Sequence, residues 1–196
     1  VYKRQRYKEA TLNDMDEAKE WLEDATEKMY VAFARSNFQQ EIFENYHDLI
    51  AFGTSCLYIE SDLDDIVRFS ARHIKEIYIT ENDKGLVDTI YRKFKMTAKA
   101  CFDMFGKDRL SKDILVKYQK APFDDVELVH VVKPKQEYNP KKLDKQNMPF
   151  QSVYMEFETG HIISIGGFRE FPYVVPRYLK ASNDIYGRSP GMNSLP

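Results

Sequence analysis

The residues that could perform chemistry in this 196-residue chain are few and scattered. The four histidines are isolated, and no two of them have the i, i+4 spacing that would place two metal ligands on one helix face. They are His47, His73, His130 and His161. His47-Asp48 is a dipeptide found in metal phosphohydrolases, but the further His and Asp partners of such a site are missing from the helical region. We therefore expect the histidines to be structural.

An acidic run is the second candidate for chemistry. Glu60, Asp62, Asp64 and Asp65 offer alternating oxygen ligands that could suit Ca²⁺. The run lacks the glycine at the sixth position and the glutamate at the twelfth position of a calcium-binding loop. We interpret it as a solvated loop, and we expect neither a metal nor a cofactor.

Glycine and serine patterns also predict no reaction centre. Gly166-Gly167 is followed by Phe168 and no helix, so it cannot cradle a phosphate and is predicted to be a bulge or tight turn. Ser189 lies in a G-x-S-x-G pattern at residues 187–191, but neither Ser189 nor Ser194 has an obvious base to activate it. The chain is predicted not to be an enzyme. One alternative stays open, a nucleic-acid-processing enzyme domain (a metal-dependent nuclease or motor accessory) in which His47 and the acidic run are remnants of a metal site.

Basic residues cluster in three places along the chain. The clusters are Lys3, Arg4, Arg6 and Lys8; Arg92, Lys93 and Lys95; and Lys133, Lys135, Lys141, Lys142 and Lys145. The formal net charge is −2, which argues against a free-standing nucleic-acid binder, so any DNA contact must be local. Solvated faces explain such clusters too. We single out Lys133, Lys135, Lys141 and Lys142 as a possible local contact with DNA or with a partner protein.

Composition describes a globular chain with a sizeable core. Hydrophobic residues make up 43% and charged residues 31%, and no uninterrupted apolar run approaches the length of a membrane-spanning helix. Two cysteines are too few for a disulfide framework, so we expect reduced thiols. The chain opens on Val1 and ends on Leu195-Pro196, and we expect it to be part of a longer protein.

Two helices are predicted in the first quarter of the chain. Apolar residues recur at spacings of three and four over residues 13–35, which is typical of an amphipathic helix. Ser36 and Gln39 form a capping-box pattern for a second helix that ends at Gly53. We expect the two helices to form an antiparallel hairpin.

The rest of the chain is predicted to be mainly β. Strands are expected over 56–60, 67–70, 77–81, 86–96, 126–132, 151–157 and 161–165, with the loop 82–85 closing a hairpin. Thr97 and Ser111 are expected to cap two short helices, the second ending before Pro122. Residues 133–149 read as an exposed loop, and four prolines predict irregular backbone from Phe168 onward.

These elements predict an α+β fold, with an N-terminal helical hairpin packed on a mainly antiparallel β-sheet region. The expected organisation is a helical hairpin at 1–55 and a β-rich domain at 56–180. Two short helices at about 97–120 belong to that domain. Residues 181–196 are expected to connect to a missing C-terminal remainder.

Three stretches, in order along the chain, resemble the portal (head-to-tail connector) proteins of short-tailed bacteriophages. The first is 48–60, DLIAFGTSCLYIE, and the second runs from Tyr78 through Met96-Thr97-Ala98 to Phe105-Gly106. The third is Tyr186-Gly187-Arg188-Ser189-Pro190-Gly191-Met192 followed by Leu195-Pro196. The likeness runs through most of the chain rather than resting on one motif.

The resemblance implies a structural subunit of a dodecameric ring at one capsid vertex, through which double-stranded DNA is packaged and ejected. Its implied partners are further copies of the subunit, the tail adaptor, scaffold and terminase proteins, with no membrane. The implied location is the virion, and the host cytoplasm during assembly. The resemblance implies an N-terminal fragment of the subunit, and we expect it to form the outer wing.

The segment 186–190 is expected to turn sharply and to aim the next helix. Gly187 can take a positive φ, and Pro190 holds Ser189 away from helical geometry. Arg188 is expected to donate to a carboxylate or to backbone carbonyls of a neighbouring segment or subunit. We therefore predict Tyr186, Arg188 and Pro190 as subunit or inter-segment contacts, poorly ordered when the next helix is absent.

Overall fold

The computed structural model describes residues 7–139, 141–142 and 144–194. Within these residues the chain forms five α-helices and two antiparallel sheets, which confirms the predicted α+β class. Of the residues singled out above, Val1, Lys3, Arg4, Arg6, Leu195 and Pro196 lie outside the described part.

The first two helices are α1 (Asp16–Arg35) and α2 (Phe38–Phe52). The predicted capping box of Ser36 and Gln39 does not form, because Asn37 is the residue that precedes α2 and its side chain makes no cap hydrogen bond. The Ser36 hydroxyl does accept a hydrogen bond from the Phe38 N–H at 3.2 Å. Asn37 instead exchanges two hydrogen bonds with the backbone of Phe69, at 2.8 and 3.0 Å. Gly53 ends α2 as predicted, in the left-handed region with φ 76°.

The strands follow from residue 57 onward. They are β1 (Leu57–Asp62), β2 (Ile66–Ala71), β3 (Ile77–Glu81), β4 (Val87–Thr97), β5 (Asp125–Pro134), β6 (Phe150–Glu156), β7 (Ile162–Phe168) and β8 (Tyr173–Val174). One sheet has the order β2-β1-β8 and the other the order β3-β4-β5-β6-β7. The sequence did not predict this division, because β8 pairs with a strand more than a hundred residues earlier.

Between β4 and β5 lie the two short helices, α3 (Ala98–Phe105) and α4 (Lys112–Lys120). Both predicted caps are present. The Thr97 hydroxyl accepts a hydrogen bond from the Ala100 N–H at 3.2 Å, and the Ser111 hydroxyl accepts one from the Ile114 N–H at 3.3 Å. Both helices therefore begin directly after the capping residue that the sequence predicts.

The five-stranded sheet buries one face against two different layers. At one end of this face, Phe94 and Leu128 pack with residues of α3 and α4, such as Cys101 and Ile114. At the other end the apolar side chains of β3, β4 and β5 pack against those of the three-stranded sheet. Arg92 and His130, which are paired in register, lie between the two apolar clusters.

The C-terminal third differs from its prediction at two points. Gly166 and Gly167 are ordinary members of β7, and the irregularity in that pairing lies at Tyr154 and Met155. Gly167 has no room for a side chain, since a Cβ atom there would lie 2.7 Å from that of Met148. The backbone after Phe168 is not irregular throughout, because it contains β8 and a short helix, α5 (Pro190–Ser194).

Candidate functional site

The candidates for metal chemistry do not come together in the described residues, where no group of three or more His, Cys, Asp or Glu side chains could hold a metal ion. His47 and His161 are exposed, and the His73 ring accepts a hydrogen bond from the Lys75 N–H. In the same part of the chain, no helix is both long and apolar enough to cross a membrane.

The acidic run covers the end of β1, where Glu60 and Asp62 lie, and the turn into β2, where Asp64 and Asp65 lie. The Asp62 carboxylate accepts hydrogen bonds from the N–H groups of Asp64 and Asp65, at 2.8 and 3.0 Å. These bonds hold the pKa of Asp62 below its ordinary value. Ile66, the residue that leaves the turn, has a positive φ of 71°. The Asp62 carboxylate therefore shapes a tight turn.

His130 is the buried histidine at the join between the two sheets. Its ring nitrogens are hydrogen-bonded to the hydroxyls of Tyr173 on β8 (3.1 Å) and Ser152 on β6 (2.9 Å). The ring stacks on Tyr154 with the centroids 3.9 Å apart. Burial, with the nearby charges of Arg92 and Arg72, lowers its pKa to about 3. His130 is thus neutral and joins the two sheets through its hydrogen bonds. The residues around it include no exposed nucleophile.

The segment 186–190 is a packed joint against the end of α2. The N–H of Gly187 donates to the Thr54 hydroxyl at 2.7 Å, and the Tyr178 N–H donates to the Gly53 carbonyl at 2.9 Å. The predicted positive φ at Gly187 is wrong. Glycine is needed there for a different reason, because a Cβ atom would overlap the Gly53 carbonyl oxygen and lie 2.9 Å from the Cβ of Arg177.

The side chains named for this segment lie close to the body of the same chain. The Tyr186 hydroxyl accepts a hydrogen bond from the Ile79 N–H at 3.2 Å. Arg188 pairs with Asp184 at 3.2 Å, with both side chains largely exposed. Pro190 is the first residue of α5, where the Ser189 hydroxyl accepts from the Met192 N–H at 3.1 Å. Contact with another subunit stays a prediction for these residues.

Arg177 and Glu81 form an ion pair that sequence reasoning missed. Both side chains are largely buried, at 14% and 15% exposure. Arg177 also donates to the carbonyls of Ile185 and Gly85, each at 3.2 Å, and Lys180 donates to both Glu81 oxygens at 2.7 Å. This network ties the C-terminal segment to the β3–β4 hairpin. No local sequence pattern predicts this network, because its partners are about a hundred residues apart.

The lysine-rich loop between β5 and β6 contains the residues predicted to touch DNA or a partner. Lys135 is engaged within the loop, where it donates to the Gln146 carbonyl at 2.7 Å. Lys133, Lys141, Lys142 and Lys145 are exposed, and the described residues offer them no carboxylate within ion-pair distance. The loop thus presents unneutralised positive charge to solvent.

Two helices present large apolar side chains outward. None of the residues of α1, all of them in the described part, is buried, and the Trp21 side chain is 61% exposed. On α2, Phe43 (73%), Tyr46 (55%) and Ile50 (62%) are exposed at spacings of three and four residues. Exposed aromatic clusters of this kind mark interaction surfaces.

The described residues therefore form fixed contacts within the chain and leave apolar and basic surfaces exposed. Comparison with known proteins identifies the family. A family model described as bacteriophage head to tail connecting protein matches residues 2–196, and the chain belongs to that family. The resemblance to phage portal proteins is thereby confirmed.

Two curated relatives extend this result. The chain is 31% identical over 191 residues to a protein named a probable portal protein from Bordetella phage BPP-1, with 94% of this chain and 34% of that protein covered. It is also 31% identical over 186 residues to a portal protein from Salmonella phage epsilon15, with 93% and 34% covered. The chain spans about a third of the length of these relatives.

Proposed function

We propose that this chain is part of a structural subunit of the phage portal ring, which forms the channel for DNA packaging and ejection at a capsid vertex. The observation that carries the proposal is the family match over residues 2–196, together with two relatives that are named as portal proteins. The outward apolar surfaces of α1 and α2 support it, because a ring subunit needs contact surfaces that stay uncovered in one copy.

The proposed ring is a dodecamer that also docks the packaging motor and the tail. Its partners are further copies of the subunit, the tail adaptor, scaffold and terminase proteins, and the double-stranded DNA in the channel. The protein would be a virion component that passes through the host cytoplasm during assembly. Within the ring we assign this chain to the outer wing.

The proposed organisation keeps the three parts predicted from sequence, namely 1–55, 56–180 and 181–196. We propose that residues 181–196 form a rigid connection to a following segment. The Arg177–Glu81 ion pair and the close approach of the Gly53 and Gly187 backbones support this role. Tyr186, Arg188 and Pro190 are proposed to hold that connection in position. Lys133, Lys135, Lys141 and Lys142 are proposed as a local contact with DNA or a partner protein.

The chain is also proposed to perform no catalysis. The scattered histidines and the closed Asp62 turn support this, because neither supplies a set of metal ligands. A divalent-metal titration and a nuclease assay test it. A metal-dependent nuclease activity that is lost on His47→Ala or Asp62→Asn would overturn this part of the proposal.

The structural role is tested in the phage that encodes the chain. Purified virions should contain the protein at a low copy number relative to the main capsid protein, and an antibody label should mark a single vertex. Particles made without it should lack packaged DNA. Absence of the protein from purified virions would contradict the proposal, whatever the result of the nuclease assay.

A further inference from the structure

Helix α1 has a continuous acidic face with few partners. Glu17, Glu20, Asp24 and Glu27 recur at spacings of three and four residues, so they lie on one side of the helix. Asp24 pairs with Lys28 at 2.6 Å, whereas Glu17, Glu20 and Glu27 have no ion-pair partner among the described residues. Six acidic residues stand against three basic ones in the helix. The face carries unneutralised negative charge.

Trp21 lies beside this acidic face. It follows Glu17 by four residues and precedes Asp24 by three, so all three side chains are neighbours on the helix surface. Trp21 is the one tryptophan of the chain, and its ring is 6.2 Å from that of Tyr7. A 20-residue helix without buried residues gains little from tertiary packing, which is what normally stabilises a helix in water. Phe33 stacks on Phe38 near the C-terminal end of α1, whereas Trp21 beside the acidic face is left largely exposed.

A surface of matching chemistry lies on the outer face of the five-stranded sheet. Directly paired residues of antiparallel strands point to the same face, so Val131, Val153 and Ile165 form an apolar row across β5, β6 and β7. Val131 is buried in this row, and Ile165 is 50% exposed. Lys133, paired with Gln151, lies in the next row on the same face. Beside it a groove of about 210 Å³ is lined by Lys135, Lys145, Gln146, Met148, Gln151 and Ile165.

The lysine-rich loop completes this surface. Residues 133–149 hold five lysines against two acidic residues, Glu137 and Asp144. Asp144 is already engaged with Asn147 at 2.7 and 2.9 Å. The result is an apolar row with lysines beside it, which complements a helix that carries a tryptophan beside carboxylates.

We infer that the acidic face and Trp21 of α1 in one copy of this chain dock on the lysine-rich groove of a second copy. The two surfaces are different, so the contact is head to tail and can close into a ring. Within the described part of the chain, α1 packs mainly with the 3₁₀ turn before it, with α2 and with β2, and the loop packs with β7. The inference rests on the proposed ring-forming role and names its contact surfaces.

A second copy fits these observations better than DNA does. The chain as a whole is slightly acidic, with a net charge of −2, which opposes binding to a polyanion. A DNA contact would also leave the acidic face of α1 and its tryptophan unexplained. DNA binding by the loop is therefore one of the outcomes that the test must separate.

Trp21 fluorescence provides the test, since its emission reports on this one position. At low salt, the emission maximum should move to shorter wavelength as the protein concentration rises, and added salt should reverse the shift. The triple variant Lys133→Glu, Lys142→Glu, Lys145→Glu should weaken association by about tenfold or more, because several exposed ion pairs become repulsive. The reciprocal variant Glu17→Lys, Glu20→Lys, Glu27→Lys should weaken it equally.

Mixing the two reversed proteins should restore association, since one acceptable pair of surfaces is recreated with the charges exchanged. Asp83→Lys, Glu158→Lys, Glu170→Lys is the matched control, with the same change of net charge at exposed residues outside both surfaces. It should associate more tightly than the α1 variant.

Each other outcome overturns the inference. If the chain associates but both reversals behave like the control, the contact lies elsewhere and the proposed ring role is unaffected. A concentration-independent Trp21 spectrum with no association in sedimentation overturns the inference as well. If the loop reversal abolishes binding to duplex DNA and leaves association unchanged, the loop is a DNA contact. Failure of the ring role itself is judged separately, by the virion experiment.

Discussion

The backbones of Gly53 and Gly187 cross without room for a side chain on either residue. A Cβ atom on Gly187 would overlap the Gly53 carbonyl oxygen, and one on Gly53 would lie 2.7 Å from the Gly187 carbonyl oxygen. The Gly187 N–H donates to the neighbouring Thr54 hydroxyl. The end of α2 is therefore fixed directly to the segment that leads into α5, and the direction of α5 depends on this crossing.

Gly187→Ala is predicted to destabilise the fold by about 1–3 kcal/mol, because the added methyl group can be accommodated only by separating two backbones. The free energy of unfolding in urea measures the effect. Gly166→Ala is the matched control, since no atom lies within 4 Å of a Cβ atom there and its φ is not positive. The control should change stability by less than about 1 kcal/mol. Equal effects of the two substitutions would contradict the close crossing.

The buried His130 is predicted to make the stability of the fold depend on pH. Its pKa is lowered to about 3 in the folded chain, against 6.5 for an unperturbed histidine. Between these values the unfolded chain binds a proton that the folded chain does not, so stability falls as the pH drops below 6.5. The contribution of His130 to this fall is on the order of 1 kcal/mol per pH unit.

The comparison of wild type with His130→Gln tests this, because other titrating groups are common to both proteins. At pH 7 the variant should be less stable, since it loses the ring stacked on Tyr154 and its hydrogen bonds. The difference should narrow as the pH falls toward 4. His161→Gln controls for removal of an exposed histidine. A difference between wild type and His130→Gln that is constant with pH would refute the assignment.

The Arg177–Glu81 pair is predicted to hold the C-terminal segment on the β3–β4 hairpin. Arg177→Lys should not restore the wild-type stability, because one ammonium group cannot reach the Glu81 carboxylate and the carbonyls of Gly85 and Ile185 together. We expect a loss of about 1–3 kcal/mol and faster amide hydrogen exchange over 177–188. Unchanged exchange in that segment would show that the pair is dispensable.

Arg188→Ala separates stability from assembly. The pair of Arg188 with Asp184 is exposed, so its loss should cost less than about 1 kcal/mol. If Arg188 contacts a neighbouring subunit as proposed, ring assembly of the longer protein should nevertheless decline. Unchanged assembly together with unchanged stability would rule out the role that we assign to Arg188.

Sequence predicted those features whose causes are local. Thr97 and Ser111 cap helices a few residues away, and Gly53 ends its own helix. The errors arise where tertiary contacts decide. Asn37 turns its side chain to the backbone of Phe69 instead of capping α2, and Gly187 is required by a distant backbone rather than by its own φ.

The proposed interaction surfaces were only partly predictable for the same reason. The lysines of the loop could be read directly from the chain, and the structure leaves most of them without a partner. The apolar row beside them could not be predicted, because it depends on the register of β5, β6 and β7. The exposure of Trp21 depends on how little covers α1, which periodicity alone does not reveal.

The chain of 196 residues by itself is predicted to associate only weakly and to form no stable ring, because a closed ring draws complementary surfaces from the whole subunit. Sedimentation velocity over a range of protein concentrations tests this. A stable ring formed by the chain alone would contradict it, and would place every surface needed for closure within these residues.

The central claim is that this chain is part of a portal subunit, and it is tested most directly by the mass of the assembly that the proposed full-length subunit forms. Native mass spectrometry of that protein should show a closed ring of identical subunits, which we propose to be a dodecamer. The two charge-reversed triple variants should each reduce the ring fraction, and the matched control should reduce it less than the α1 variant does. A protein that stays monomeric under all conditions, or that forms open chains of indefinite mass, would contradict the account.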